Sequence, residues 1–381
     1  MSITVYYWAP LISKIATAKA VINSAISLSL YSKVYKCIII NSIGEFSFYK
    51  NYLKKYKIKS KTFFKINFYS IFPKYGYFSS RISFIIIFIL SFIKLRNLLL
   101  KKKPDYLIVH LITSLPLFLN LIYNFNTKFI LRISGLPKLN FFRKFFWKIA
   151  VKKVYHVTCP TEQTKIFLIK NKIVNANQVS VLKDPIINEN NKNRNEKNIN
   201  YYKKKYKNFI FCAGRLTKQK NFSLIIKSFY YVSLKIKNLN LVIAGDGEER
   251  KNLIKLIRSL NLEKRVFLIG YQKNINDFFY SCKIFCLPSL WEDPGFVLIE
   301  AAFCNANIVS SDCPNGPRDF FKNLNYKYKF HSQNFRQLKK ILLKIIYNNY
   351  KISKKDKKIL FTRSKEYNLY QHYKQLESLI K

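Results

Sequence analysis

The chain alternates short apolar runs with longer stretches in which apolar residues recur every three or four positions. Residues 3–8, 34–40, 106–110 and 128–133 are of the short kind, and each is expected to be a strand. Residues 16–31 and 84–100 carry the helical spacing. Strands that alternate with helices in this way predict a parallel sheet with helices on both faces. Residues 153–158 and 179–182 add two more strands, and Thr161-Glu162-Gln163-Thr164 reads as a capped helix start. In such a sheet the ligand crevice lies beyond the carboxyl ends of the strands. The candidate lining loops are then residues 9–16, 110–114 and 134–140.

Residues 188–208 interrupt this pattern. They read NENNKNRNEKNINYYKKKYKN, low in complexity and nearly free of aliphatic side chains, and are expected to be a linker. The alternation then resumes. Strands are predicted at 209–213, 239–244, 266–269, 284–287 and 307–311, with helices at 222–235, 248–260, 275–281 and 296–304. The predicted class is α/β, with two Rossmann-like, doubly wound domains at 1–187 and 209–355 and the linker between them. A final helix at about 356–381 is expected to return to the first domain. A length of 381 residues agrees with two domains.

A hydrophobic fraction of 49% is ample for two cores and excludes global disorder. The net charge is +49, from 68 Lys and Arg against 19 Asp and Glu. It fits a nucleic-acid footprint, attraction to anionic lipid, or a compositional drift that also enriches Asn, Ile, Phe and Tyr. The lysines are spread along the chain and no nucleic-acid motif is present, so nucleic acid ranks last and is not an expected partner. An anionic membrane surface ranks above it. The seven cysteines follow no repeating pattern, and Cys282-x3-Cys286 lacks a second pair or a nearby His for zinc. They are expected to be core thiols in a reducing cytoplasm. His110, His156, His331 and His372 are far apart and form no metal motif. Met1 to Thr4 lack a basic leader, so no signal peptide is expected. Residues 82–93, ISFIIIFILSFI, make an apolar run of twelve, short of the about 20 needed to cross a bilayer. Arg81, Lys94, Arg96 and Lys101 to Lys103 flank it. Burial in the core and contact with a membrane interface both suit such a helix.

The residues that can carry chemistry gather in the second half. Ser289 to Pro317 reads SLWEDPGFVLIEAAFCNANIVSSDCPNGP, with Glu292 and Glu300 eight positions apart. Asp293-Pro294-Gly295 is a helix-start signal, an acidic cap followed by Pro at the first helical position. A helix start offers N–H groups and a partial positive charge that suit a diphosphate. A carboxylate such as Glu300 within an apolar helix costs free energy unless it has a partner, for instance a pair of ligand hydroxyls. Arg215 and Lys220 stand five positions apart in a strand-to-helix turn and can reach one anion, although two cations in so basic a chain also arise by composition. Gly245-Asp246-Gly247 ends a strand and by itself indicates a tight turn.

Taken in order, GRLTKQKN, LVIAGDGEE, VFLIGY, PSLWEDPGFVLIEAA and IVSSDCPNGPRD resemble the retaining glycosyl transferases group 1 family, the GT-B enzymes of capsule, O-antigen and lipopolysaccharide assembly. The resemblance is close from Phe211 to Asp319 and weaker over the first half. It implies two Rossmann-like domains facing across a cleft, with a nucleotide-sugar donor on the C-terminal domain and a lipid-linked or polysaccharide acceptor. It implies that Arg215 and Lys220 hold the donor diphosphate, that Glu292 orients sugar hydroxyls and that Glu300 takes the ribose hydroxyls. The backbone of Gly295, Phe296 and Val297 would cap the diphosphate. Gly214, Asp246, Gly247 and Tyr271 would line the donor site, with Tyr271 near the base. No metal or other cofactor is implied, because two cations and a helix start can stabilise the departing diphosphate. The expected compartment is the cytoplasm, with peripheral attachment to the inner face of the plasma membrane. The sequence departs from the family in three places. The first loop, Ala9-Pro10-Leu11-Ile12-Ser13-Lys14, lacks a Gly-Gly pair. Ser134 stands where relatives place an active-site His, leaving Arg132 and Ser134 as candidate acceptor-side residues. Asp319 stands where relatives often have Glu. A nucleotide-sugar epimerase on the same architecture, a non-catalytic sugar-binding relative and a basic nucleic-acid-binding protein are the rival readings.

Overall fold

A computed structural model describes residues 2–11, 16–72, 77–189, 194–347 and 352–380 of the chain. The chain divides into two units. The first runs to Ile186 and resumes from Tyr367, and the second is Ile187–Glu366.

The first unit is built on seven parallel strands in the order β3-β2-β1-β4-β5-β6-β7. These are β1 (Ile3–Trp8), β2 (Tyr35–Asn41), β3 (Lys59–Thr62), β4 (Tyr106–Val109), β5 (Lys128–Arg132), β6 (His156–Cys159) and β7 (Val179–Val181). Its helices are α1 (Ala16–Tyr31), α2 (Lys50–Lys55), α3 (Phe68–Ile71), α4 (Tyr77–Lys102), α5 (Ser114–Ile122), α6 (Phe141–Ala150) and α7 (Glu162–Lys170). Successive strand residues face opposite sides of the pleat. Tyr6, Trp8, Leu107, Val109, Phe129 and Leu131 enter one core with Leu95, Leu98 and Leu99 of α4, Leu115 and Leu119 of α5, and Trp147 of α6. Val5, Tyr7, Ile108 and Ile130 enter the other, against Val21, Ile22 and Ile26 of α1. Thr161 caps α7 by accepting a hydrogen bond from the Thr164 N–H, as its spacing suggested. β3 escaped the sequence reading because KSKT is a wholly exposed edge strand with no apolar face. The loop read at residues 9–16 lies partly outside the described residues.

The second unit has six parallel strands in the order β10-β9-β8-β11-β12-β13. They are β8 (Asn208–Ala213), β9 (Leu239–Ala244), β10 (Val266–Leu268), β11 (Ile284–Leu287), β12 (Ile308–Ser311) and β13 (Lys329–Phe330). Its helices are α8 (Glu196–Tyr206), α9 (Phe222–Lys235), α10 (Arg250–Ser259), α11 (Asn276–Ser281), α12 (Phe296–Phe303), α13 (Gly316–Phe320), α14 (Phe335–Ile346) and α15 (Lys354–Lys365). One more helix, α16 (Leu369–Ile380), returns to the first unit, where Leu369, Leu376 and Ile380 join the α1 core.

Three expectations need correction. The stretch at 188–208 is not a plain linker, since α8 occupies most of its described part and packs into the second unit. Tyr202 stacks on Phe278 at 3.9 Å between ring centroids. Ile199 and Tyr206 are buried beside it, and Asn198 donates a hydrogen bond to Asp277 at 2.9 Å. Ile199, Tyr202 and Tyr206 recur at helical spacing, a stripe hidden by the surrounding Lys and Asn. At the other end only α16 returns to the first unit. α15 stays in the second, with Phe361 stacked on Phe303 at 5.6 Å and Arg363 donating to the Phe320 carbonyl at 2.6 Å. Finally, the apolar run at 82–93 belongs to a helix of 26 residues. By length and composition its Arg81–Lys102 portion is long and apolar enough to cross a membrane, yet Leu95, Leu98 and Leu99 are buried in the core of the unit.

Candidate functional site

In the second sheet β8 has β9 on one side and β11 on the other, so the strand order reverses between β8 and β11. Loops at the carboxyl ends of strands flanking such a reversal are where open α/β sheets hold ligands. Here they are residues 214–221 after β8 and 288–295 after β11.

Backbone hydrogen bonds join these loops to their neighbours. Leu216 N–H donates to the Asp246 carbonyl at 3.0 Å, and Glu249 N–H donates back to Leu216 at 2.9 Å. Gly245 N–H reaches the Gly270 carbonyl at 2.8 Å, next to Tyr271. Leu290 N–H reaches the Gln219 carbonyl at 2.8 Å, and the Gln219 amide donates to Trp291 O at 2.9 Å. The turns touch closely enough that a Cβ on Gly245 would fall 1.8 Å from the Gly214 carbonyl oxygen, and Gly245 itself has φ +136°. Glycine is the residue both constraints require.

At the centre, Lys220 Nζ lies 2.6 Å from Glu292 Oε1 and 2.8 Å from Oε2. Ser289 Oγ donates to Oε1 at 2.6 Å. The two side chains of the ion pair are 14% and 5% exposed, so the pair is largely desolvated and each charge depends on the other. The carbonyl of Glu292 accepts from Gly316 N–H at 2.9 Å, which ties the loop to the turn before α13. Ser311 Oγ donates to the Ser289 carbonyl at 2.7 Å and fixes that residue in turn.

The helix start differs from the sequence expectation. Asp293 is not the cap and Pro294 is not the first helical residue. Gly295 occupies the cap position with φ +91°, without a side-chain cap, and the helix begins at Phe296. A left-handed residue cannot continue a right-handed helix backwards, so the helix stops at Gly295. The first N–H groups of α12, including those of Phe296 and Val297, have no acceptor within the helix, by helix geometry. Glu300 lies one turn further along α12 and is half-buried.

The candidates thus fall into layers. Gly214, Lys220, Glu292 and Gly295 form the centre. Arg215, Asp246 and Tyr271 are exposed on the adjoining loops, Tyr271 by 71%, and Gly247 is half-buried. Asp246 closes its own turn by accepting from Gly247 N–H at 2.9 Å. Sequence reasoning assigned no role to Ser289 or Gln219, although Ser289 stands three residues before Glu292. Among the described residues no group of three or more His, Cys, Asp or Glu is placed to hold a metal ion. The seven cysteines are free thiols, six of them buried and Cys282 half-buried. Burial pushes Cys304 and Cys313 up to about 12.

The two residues read as acceptor-side lie in the first unit, at the carboxyl end of β5. Arg132 is buried, and its Nη2 is 2.7 Å from Asp184 Oδ1. Ser134 Oγ is buried without a hydrogen-bond partner. His110, just after β4, went unassigned in the sequence. Its ring stacks on Tyr7 at 6.2 Å, and its Nε2 has no hydrogen-bond partner. Burial, then the nearby Arg132 charge, hold His110 well below the usual imidazole range, and it is neutral.

Comparison with known proteins finds relatives of this unit. The sequence profile of glycosyl transferases group 1 matches residues 193–360. The similarity to that family therefore lies in the second unit, over less than half of the chain. It is 32% identical over 246 residues to an uncharacterised glycosyltransferase of Methanocaldococcus jannaschii, covering 59% of this chain and 60% of that protein. Over 113 residues it is 39% identical to the N-acetylgalactosamine-N,N'-diacetylbacillosaminyl-diphospho-undecaprenol 4-alpha-N-acetylgalactosaminyltransferase of Campylobacter jejuni, covering 30% of each chain. The chain therefore spans about three fifths of the first relative and less than a third of the second. A glycosyltransferase from Rickettsia africae superposes with a TM-score of 0.76 at 14% identity, over 100% of this chain and 98% of that one. HepE of Anabaena, crystallised with UDP and glucose, gives 0.72 at 14% identity over 98% of each. Two α/β units with parallel sheets of seven and six strands, matched by these glycosyltransferase structures over nearly their whole length, make this a GT-B fold.

Proposed function

We propose that the chain is a glycosyltransferase that moves a sugar from a nucleotide-sugar donor to a growing cell-surface glycan or lipid-linked acceptor. The observation that carries the reading is the desolvated Lys220–Glu292 pair at the reversal of the second sheet, beside the start of α12. An ammonium has three N–H bonds. Glu292 engages two of those of Lys220, which leaves one for a phosphate oxygen.

In this reading Lys220, Arg215 and the N–H groups of Gly295, Phe296 and Val297 hold the donor diphosphate. They stabilise the negative charge that grows on it as the sugar–phosphate bond breaks, without reorganising at that moment. Glu292, held by Lys220 and Ser289, orients hydroxyls of the donor sugar. Glu300 accepts from the ribose hydroxyls. Gly214, Asp246, Gly247 and Tyr271 line the donor, with Tyr271 toward the base. Arg132 and Ser134 belong to the acceptor side. No metal ion or other cofactor is required, and transfer proceeds with retention at the anomeric carbon. The proposed compartment is the cytoplasm, at the inner face of the plasma membrane. Seven unpaired cysteines are at home in a reducing compartment.

The test is a thermal-shift screen of nucleoside diphosphates and their sugars on wild type, Lys220→Ala and Glu300→Ala. A ligand at 100 times its dissociation constant adds about 2.7 kcal/mol to stability. A shift with one nucleotide class, lost in both variants, is the expected result. Folded protein that shifts with none of them overturns the reading.

A further inference from the structure

We propose that the first unit docks onto an anionic phospholipid surface through the outer faces of α4 and α6. α4 presents Ile82, Ile85, Ile89 and Ile93 to solvent, each about 60% exposed. Their spacing of three, four and four places them on one stripe of the helix. α6 presents Phe141, Phe142 and Phe145, the first two 79% and 80% exposed. α5 packs against both α4 and α6, and its Phe118, itself partly exposed, contacts Phe88 and Phe92 of α4. All three helices cover the same side of the first sheet, so their outer sides belong to one layer.

An apolar layer of this size on a folded unit marks a contact surface, and its charge selects the partner. Between Tyr77 and Lys153 there are fourteen Lys and Arg and one acidic residue, Asp105. Arg81, Lys94, Lys138 and Arg143 are exposed among the apolar side chains, and Lys101 to Lys103 close the end of α4. Apolar side chains seated among cations suit the boundary between anionic headgroups and acyl chains. A second copy is a poor occupant, because the same face would meet its own positive charge. The helix lies on the surface rather than crossing, because Ile87, Leu95, Leu98 and Leu99 are held in the core of the unit. This deepens the reading above, on which it rests only in giving a lipid-linked acceptor a place to be met.

The experiment is flotation of the full chain with vesicles of phosphatidylcholine alone, or of equal parts phosphatidylcholine and phosphatidylglycerol. Wild type is expected to float with the anionic vesicles only. Phe141→Ser/Phe142→Ser and Ile85→Ser/Ile89→Ser are each expected to weaken that binding about tenfold or more. Leu30→Ser, an exposed position on α1 packed on the opposite side of the sheet, leaves binding unchanged. The melting temperature stays as in wild type, which shows that the variants fold, and so does the nucleotide shift, which reports the second unit, so failure of the donor reading shows separately. The proposal is overturned if wild type does not float, or if the double variants bind as wild type does, which would reduce the attraction to diffuse charge. It is equally overturned if light scattering shows a dimer that the double variants abolish.

Discussion

Removing Lys220 tests whether the centre of the second unit is held by charge pairing. Lys220→Met keeps most of the stem and deletes the ammonium. Glu292, 4% exposed, then retains one charged-group hydrogen bond, from Ser289, where it had three. Breaking a buried pair by removing one partner costs about 3–5 kcal/mol. With Ser289 still donating, the lower end applies, about 3 kcal/mol. Glu292→Gln in the same background removes the stranded charge, so the double variant should recover about 2 kcal/mol relative to the sum of the two single losses. Trp291 adjoins Glu292, and the other two tryptophans, Trp8 and Trp147, lie in the first unit. Replacing both with Phe leaves Trp291 fluorescence as a reporter of the second unit. For a unit with a urea dependence of about 2 kcal/mol per molar, 3 kcal/mol moves the midpoint by about 1.5 M. A shift below about 0.3 M, or losses in the double variant that simply add, would refute the coupling.

Two further outcomes follow from geometry elsewhere. Gly245→Ala forces a Cβ to 1.8 Å from the Gly214 oxygen at a φ of +136°, so it should destabilise the second unit by about 2 kcal/mol or more and weaken nucleotide binding, read by the same fluorescence and thermal-shift assays. In the first unit, burial lowers His372 to about 3 while its ring bonds Ser24 Oγ and the Lys183 carbonyl. The folded state keeps it neutral and the unfolded chain protonates it near 6.5, so its contribution is present above that pH and is lost as pH falls toward 3. The loss is at most about 2 kcal/mol by pH 5. His110 acts in the same direction, and Glu45, raised to about 7 by burial, acts in the opposite one. The loss is therefore read as the difference between wild type and His372→Gln in denaturation at pH 7 and pH 5, and a pH-independent difference would contradict it.

Much of the fold was legible because buried parallel strands and amphipathic helices carry strong periodic patterns. α1, α9, β9 and β11 match the predicted bounds residue for residue. What escaped had weak or masked patterns. β3 is an exposed edge, and the apolar stripe of α8 is diluted by Lys and Asn. The start of α12 was misplaced because an acidic residue before Pro is a good cap signal, while a left-handed Gly295 overrode it. At the candidate site the charged and glycine positions stood out by spacing. Ser289 and Gln219 did not, since what they do depends on two loops meeting across the sheet, and no local pattern encodes that. His110 opened one of the candidate lining loops but was given no role of its own, and its place beside Arg132 follows from β4 pairing with β5.

The return of α16 bears on how the molecule is made. Ser24 and Lys183 wait for His372, and Tyr106 waits for the Ile380 carbonyl. Emergence from the ribosome at about 5–20 residues per second puts roughly ten to forty seconds between Ile186 and the arrival of that helix. The second unit is contiguous in sequence and can close in the interval. The first, although synthesised earlier, finishes last, with the α1 face uncovered in the meantime. A contiguous fragment can contain the whole second unit, whereas no contiguous fragment short of nearly the full chain contains the whole of the first.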